Sequence, residues 1–293
     1  MFELLAQGKQ RIIFDKGTGS LVPVRIPKSA TMFIAFLRGA GGGGAGGSTA
    51  AVGAVARGGG AGGGGSRAQV IGPTHVFNGT LYVGVPSGGL GGAAGVAGGD
   101  PTLTGFAVSL ASAAIYGDYG GRQRAAVQAS SGRGGGVSTI SSASTTPVLV
   151  APFLSTHVLG IQGQPGSATG ANGTAVTAAY NTSPANPGSA GGGISTAEVV
   201  GLSGAMTINE AGTEFLSFAG VGANTDGHHG YWSEQYLYGT GGVGGGAALT
   251  GIAGRGGNGA TGCGGGGGGA ARTGATAGAG GNGGDGRIDL WFL

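Results

Sequence analysis

The sequence predicts a mainly β and irregular fold, with short β-strands framing packed polyglycine strands of the polyproline-II type and little or no α-helix. Three observations predict it. Of 293 residues, 77 are glycine, and they fall in blocks rather than at every third position, which excludes collagen. Short runs of β-branched and aromatic residues stand at both ends of the glycine region. No long stretch carries a helical period, and the Gly- and Ala-rich middle has no reason to be helical. Charge is scarce at 9% while 40% of residues are hydrophobic, the reverse of a disordered chain, so order is expected.

Taken in order, "QRIIFD", "LVPVRIP" and "TMFIAFLRG" read as three short strands separated by the turn signals "KGTGS" and "PKSA". Residues 1–38 form a short N-terminal β region, expected to serve in assembly or attachment. At Gly39 the composition changes to "GAGGGGAGG" and then "RGGGAGGGGS". Residues 39–293 form the glycine-rich domain. "AQVIGPTHVFNGTLYVGV" predicts two strands joined as a hairpin at Asn78-Gly79. Further glycine blocks follow, and the last runs through Gly264–Gly269 into "RIDLWFL". Segments 100–131, 147–187 and 206–238 are richer in other residues and are expected as exposed loops. "TMFIAFL" and "RIDLWFL" are expected to lie together and clamp the ends of the glycine core.

The glycine blocks have a physical reading. Polyproline-II strands have three residues per turn and no internal hydrogen bonds. Packed side by side they bond to one another, and only glycine allows backbones so close. A six-residue run spans on the order of 18 Å at ~3.1 Å per residue. Ordering glycine is entropically severe, so shared hydrogen bonds and burial must offset it. Gly41, Gly42, Gly43 and Gly44, with Gly264, Gly265, Gly266, Gly267, Gly268 and Gly269, are the predicted structural core.

Several chemistries are excluded or weakened. A P-loop needs Gly-Lys-Ser/Thr, and Lys9, Lys16 and Lys28 do not supply it. A dinucleotide fold needs alternating strands and helices, which are missing. "GGNGGDGRI" meets most of a calcium-binding nonapeptide through Asp285, but in one copy and with Arg287 at the apolar position. Net charge is +3 with scattered arginines, so nucleic acid is not an expected partner. The single Cys263 excludes an internal disulfide and reads as a small residue within the glycine tract. No secretory signal is expected in "MFELLAQGKQR", and "MFIAFL" is far short of a membrane span. No nucleophile elbow or paired carboxylates stand out, so neither an enzyme nor a cofactor is expected.

The densest aromatic cluster is "NTDGHHGYWSEQYLYG". His228 and His229, with Asp226 and Glu234 nearby, offer a metal reading, which adjacent histidines on opposite strand faces make awkward. Tyr231, Trp232, Tyr236 and Tyr238 offer stiff contact area with a polar edge, suited to docking a protein or stacking on sugar rings, or equally to local core packing. His228, His229 and these four aromatics are the candidate receptor or partner contacts.

The layout "VPVRIPKSATMFIAFLRGAGGGGAGG", then "THVFNGTLYVGVPSGGLGG", then "GGNGGDGRIDLWFL" resembles the glycine-rich domains of bacteriophage structural proteins, especially tail-fibre and receptor-binding adhesins. The resemblance covers about Val22 to Leu293. It implies packed polyglycine helices whose intervening loops contact the host, a location in the virion after synthesis in the host cytoplasm, and assembly with other virion proteins. It further implies a homo-oligomer, a trimer by analogy, and a host surface protein or glycan as ligand, without membrane insertion. A capsid or neck decoration protein fits the same layout. The glycine-alanine runs are also similar to mycobacterial glycine-rich surface proteins, whose helical N-terminal domain is absent here. Polyglycine antifreeze proteins need a flat, regular face that the irregular insertions do not offer.

Overall fold

The computed structural model describes residues 11–17, 20–65, 67–101, 105–107, 154–158, 163–164, 166–167, 170–179, 186–210, 213–234 and 238–293. The fold is mainly strand and irregular, and among these residues there is no α-helix. Much of the predicted 100–131 loop and part of the 147–187 loop lie outside the described residues.

The three N-terminal strands form where expected, as β1 (Arg11–Phe14), β2 (Val22–Arg25) and β3 (Met32–Arg38). With β5 (Arg67–Pro73), β8 (Leu154–Val158) and β15 (Arg287–Phe292), β1 and β3 build an antiparallel sheet in the order β1-β15-β3-β5-β8. β2 pairs with β6 (Thr80–Gly84), which pairs with β7 (Gly105–Ala107). Period-two alternation turns Phe33, Ala35 and Leu37 of β3, and Ile288, Leu290 and Phe292 of β15, into one core. Val24, Leu81 and Val83 of the smaller sheet meet them there. β15 pairs with β3 along its whole length, Phe36 opposite Asp289, so the two apolar runs do lie together.

The expected hairpin at Asn78-Gly79 does not form. β5 and β6 belong to different sheets, and a 3-10 turn over Thr74–Phe77 intervenes. Asn78 (φ 47°) and Gly79 (φ 81°) have the left-handed geometry the dipeptide favours, but they end that turn. Both strands carry residues destined for one shared core, Val70 and Leu81 among them, so the chain crosses from sheet to sheet instead of pairing with itself.

The glycine blocks leave this sandwich as long extended strands and return to it. Cys263–Ala270 is the central one, and all eight of its residues are buried. Its N–H groups donate in threefold rotation. Gly264, Gly267 and Ala270 bond to Asn186, Ser189 and Gly192; Gly265 and Gly268 to Gly42 and Ala45; Gly266 and Gly269 to Gly257 and Gly254. Its carbonyls accept from three further strands: Gly264 and Gly267 from Gly242 and Gly245, Gly265 and Gly268 from Gly62 and Gly59, Gly266 and Gly269 from Gly281 and Gly278. Six neighbours thus surround one strand, three parallel and three antiparallel, and each third residue faces the same neighbour as three residues per turn requires. The space is closed to any side chain. A Cβ on Gly266 would sit 2.2 Å from the Val243 carbonyl oxygen, and one on Gly267 would sit 1.9 Å from that of Gly59.

Where a strand lacks a neighbour, side chains replace the missing carbonyl. Asp285 accepts from Gly88 N–H (2.8 Å) and Gly17 N–H (3.0 Å), Asn282 from Gly91 N–H (2.7 Å) and Ser203 from Val221 N–H (2.8 Å). The outer strands are thereby satisfied without extending the lattice. A third small sheet, β9 (Val176–Ala179), β10 (Met206–Glu210) and β11 (Thr213–Phe218), packs beside the bundle, with β9 and β10 parallel. Two-residue pairs complete the strands: β4 (Thr49–Ala50) with β14 (Ala271–Arg272), and β12 (Trp232–Ser233) with β13 (Tyr238–Gly239).

Candidate functional site

The residues singled out in "NTDGHHGYWSEQYLYG" do not converge on one surface. Tyr238 is buried, and its hydroxyl meets the Asn186 amide, which also donates to the Gly239 carbonyl at 2.8 Å. Trp232 is half-buried beneath the outer face of the five-stranded sheet. The Arg38 guanidinium lies 4.4 Å from its ring and that of Arg287 lies 5.4 Å away. Its indole N–H donates to Glu234 at 2.8 Å, and Arg287 bridges Glu234 (2.5 Å) to Asp289 (2.9 and 3.0 Å). Burial pulls the Arg38 pKa down to about 10, while the bond from Arg287 holds the Glu234 carboxyl below its ordinary range. This cluster fastens the aromatic segment to the sheet.

His228 lies beside the Phe218 ring at 5.9 Å, and the His229 Nδ1 accepts from Asn258 N–H at 2.9 Å. The Asp226 carboxylate accepts from Arg255 N–H at 2.7 Å. The Asp226 and His229 side chains therefore act as lattice partners, and no group of three metal-ligating side chains occurs among the described residues. Tyr231 is exposed at 56%, and Tyr236 lies outside the described residues. Asp285, the acid of the calcium-like pattern, holds two backbone N–H groups in the same way. Cys263 is fully buried, and burial pushes its thiol pKa up to about 11.

A different surface is assembled where the glycine strands reverse direction. Turns at 49–56, 194–200, 248–252 and 271–276 meet at one end of the bundle, opposite the sandwich. β4 pairs with β14, Ala56 with Ile194, Ala248 with Ala271, and Ile252 with Thr276. The turns at 93–96 and 223–225 join them, with Gly95 bonded to Gly47 and Asn224 to Ala247. This end is rich in exposed aliphatic side chains: Val52 (78%), Ile252 (68%), Val199 (62%), Val96 (53%) and Leu249 (39%).

Its shape is held from inside by Arg272. The side chain is 3% exposed, and its guanidinium donates to Glu198 (2.7 Å), to the Ala51 (3.0 Å) and Ala54 (2.5 Å) carbonyls, and to the Ser195 carbonyl (2.6 Å). Three turns are tied to one planar group. Glu198 completes the tie by accepting from Gly53 N–H at 2.9 Å. That bond first, and the Arg272 guanidinium second, hold its carboxyl below the ordinary range. The residue sits at φ 61°, a left-handed conformation unusual outside glycine, fixed by Ser195–Val199 and Glu198–Ser195 backbone bonds.

Nothing in the sequence singled this site out. Arg272 stands alone in "AARTGAT" and Glu198 in "ISTAEVV", 74 residues apart, without a motif. The available signal was that each is a solitary charge within a turn between uncharged glycine runs. No protein-family model matches the chain, and no curated protein matches it.

Proposed function

We propose that the chain is a non-enzymatic structural protein of a bacteriophage virion, a tail-fibre or appendage component that carries a host-binding surface at the turn-bearing end of its bundle. The observation that supports this reading is the division of the fold. A lattice whose central glycines leave no room for side chains ends in turns that present Val52, Val96, Val199, Leu249 and Ile252 to solvent. Isolated exposed aliphatics are ordinary, but a cluster on one rigid end is a contact surface. The sandwich at the other end, with Ile13 (43%) and Met32 (37%) exposed, is then the attachment side toward other virion proteins. Assembly as a homotrimer follows from the resemblance to phage adhesins.

Purified protein is expected to bind host cells and to block infection competitively. Absence of cell binding, with tight binding to a capsid or tail subunit instead, replaces the adhesin by a decoration or scaffold protein. A stable monomer in sedimentation overturns the trimer.

A further inference from the structure

We propose that Arg272 and Glu198 form an internal staple that presets this end for an uncharged, apolar protein surface; the proposal rests on the host-binding reading above and adds the partner's chemistry. Two facts carry it. The first is the convergence of one buried guanidinium on the 49–56 and 194–200 turns from the 271–276 turn, with the Glu198 carboxylate reaching back to Gly53. Carbonyls that would otherwise leave the turns free to move are bonded to a group buried at the foot of the lattice. Val52 lies between Ala51 and Ala54, and Val199 next to Glu198, so the staple sets the spacing of the two most exposed valines.

The second fact is charge. Within residues 49–56, 194–200, 248–252 and 271–276 the charged side chains are Arg272 and Glu198, and they are bonded to each other. These four turns carry no net charge and no aromatic ring, and the charges flanking them, Arg57, Arg255 and Asp226, are mixed in sign. An anionic polysaccharide or a phosphate-bearing lipid finds no cluster of counter-charge there, and a sugar ring finds no stacking platform. An apolar protein surface is complementary to exposed valine and isoleucine on a preset scaffold, because preset turns lose little freedom on contact. Arg272 is thus a positioning residue, acting through the valines.

The experiment has two arms on the full chain. In the first, amide exchange of the turns is compared between the wild type, Arg272→Gln and Arg272→Lys. Faster exchange at Gly53 and around Val199 in Arg272→Gln, partly restored by lysine, with the amides of Gly264–Gly269 still protected, is expected. Equal exchange in all three overturns the staple. In the second arm, wild-type binding to host cells is measured at low and high salt and compared with Val52→Asp and Val199→Asp, which leave the staple intact. Loss of about tenfold or more in either aspartate variant, with salt-insensitive wild-type binding, is expected. Binding that weakens steeply with salt, binding to protease-treated cells or to lipopolysaccharide vesicles, or undiminished binding by both variants overturns the apolar protein partner. A wild type that binds no cells defeats the host-binding reading and the partner chemistry together, whereas the exchange arm judges the staple without reference to any ligand.

Discussion

Gly264–Gly269 and Arg287–Phe292 stand within thirty residues of each other, and both are buried throughout, yet they are stable for opposite reasons. The second is a strand whose Ile288, Leu290 and Phe292 remove apolar side chains from water, at roughly 1.5–3 kcal/mol each. The first has no side chain to bury. It is held by backbone hydrogen bonds to six neighbours at distances of 2.8–3.0 Å, and by contact between backbones that only glycine permits. Burial of area and saturation of polar groups are usually mixed in a protein interior. Here they are segregated along the chain, so their different tolerances to substitution can be measured separately.

The sharpest test falls on the lattice. Gly266→Val with Gly267→Val is expected to abolish folding, seen as loss of soluble protein and of a cooperative transition by circular dichroism. Even a methyl at Gly267 meets a carbonyl oxygen at 1.9 Å. Normal melting of the double variant breaks the comparison at its root. Leu290→Ala, in the sandwich, is expected to cost about 2–5 kcal/mol in denaturant unfolding, a large loss that leaves a folded protein. If it proves as damaging as the glycine changes, the two regions do not differ in kind.

Smaller effects sharpen the picture at the margins. Asp285→Ala takes the acceptor from Gly88 and Gly17 N–H, and is expected to cost about 1–3 kcal/mol because the orphaned donors are only part-buried. Gly53→Ala meets no atom within 4 Å but must hold φ 81°, so about 1 kcal/mol is expected from backbone conformation alone. Gly53 and Gly267 thereby separate glycine used for a turn from glycine used for proximity. The smallest effect is a titration. Glu198 has a folded pKa below its ordinary 4.5, so its contribution is complete above 4.5 and is lost as pH falls through the lower folded value. The Gly53 amide resonance should titrate in that acid window in the wild type and not in Glu198→Gln.

Much of this fold was legible in the sequence, and the boundary of legibility has a physical cause. β1, β2, β3 and β15 announce themselves by β-branched and aromatic runs between turn residues, and the pairing of "TMFIAFL" with "RIDLWFL" follows from their place at the two ends of the glycine region. That the glycines pack followed from their low charge and their neighbours' apolarity. The direction and register of each polyglycine strand did not, because glycine has no side chain to distinguish one neighbour from another. The Asn78-Gly79 dipeptide specified its own left-handed backbone and nothing about which sheet each flanking strand would join. The aromatic segment was visible but not its division between Trp232, under Arg38 and Arg287, and Tyr231, in solvent. The Arg272 staple was silent, since it depends on three turns that only the lattice brings together.

The wiring of the central strand also constrains the order in which the protein can be made. Gly265 bonds to Gly42 and Gly62, and Gly264 to Asn186 and Gly242, so the innermost strand is synthesised after five of the six strands that surround it. Until residue 270 has emerged, those five strands have no central strand to bond to, and the sixth, at 278–281, is still to follow. Bundle closure therefore waits on strands far apart in sequence, with long loops to bring together, and is slow by comparison with locally wired folds. A nascent chain truncated before Cys263 should remain protease-sensitive along its whole glycine region, however well its first strands are formed.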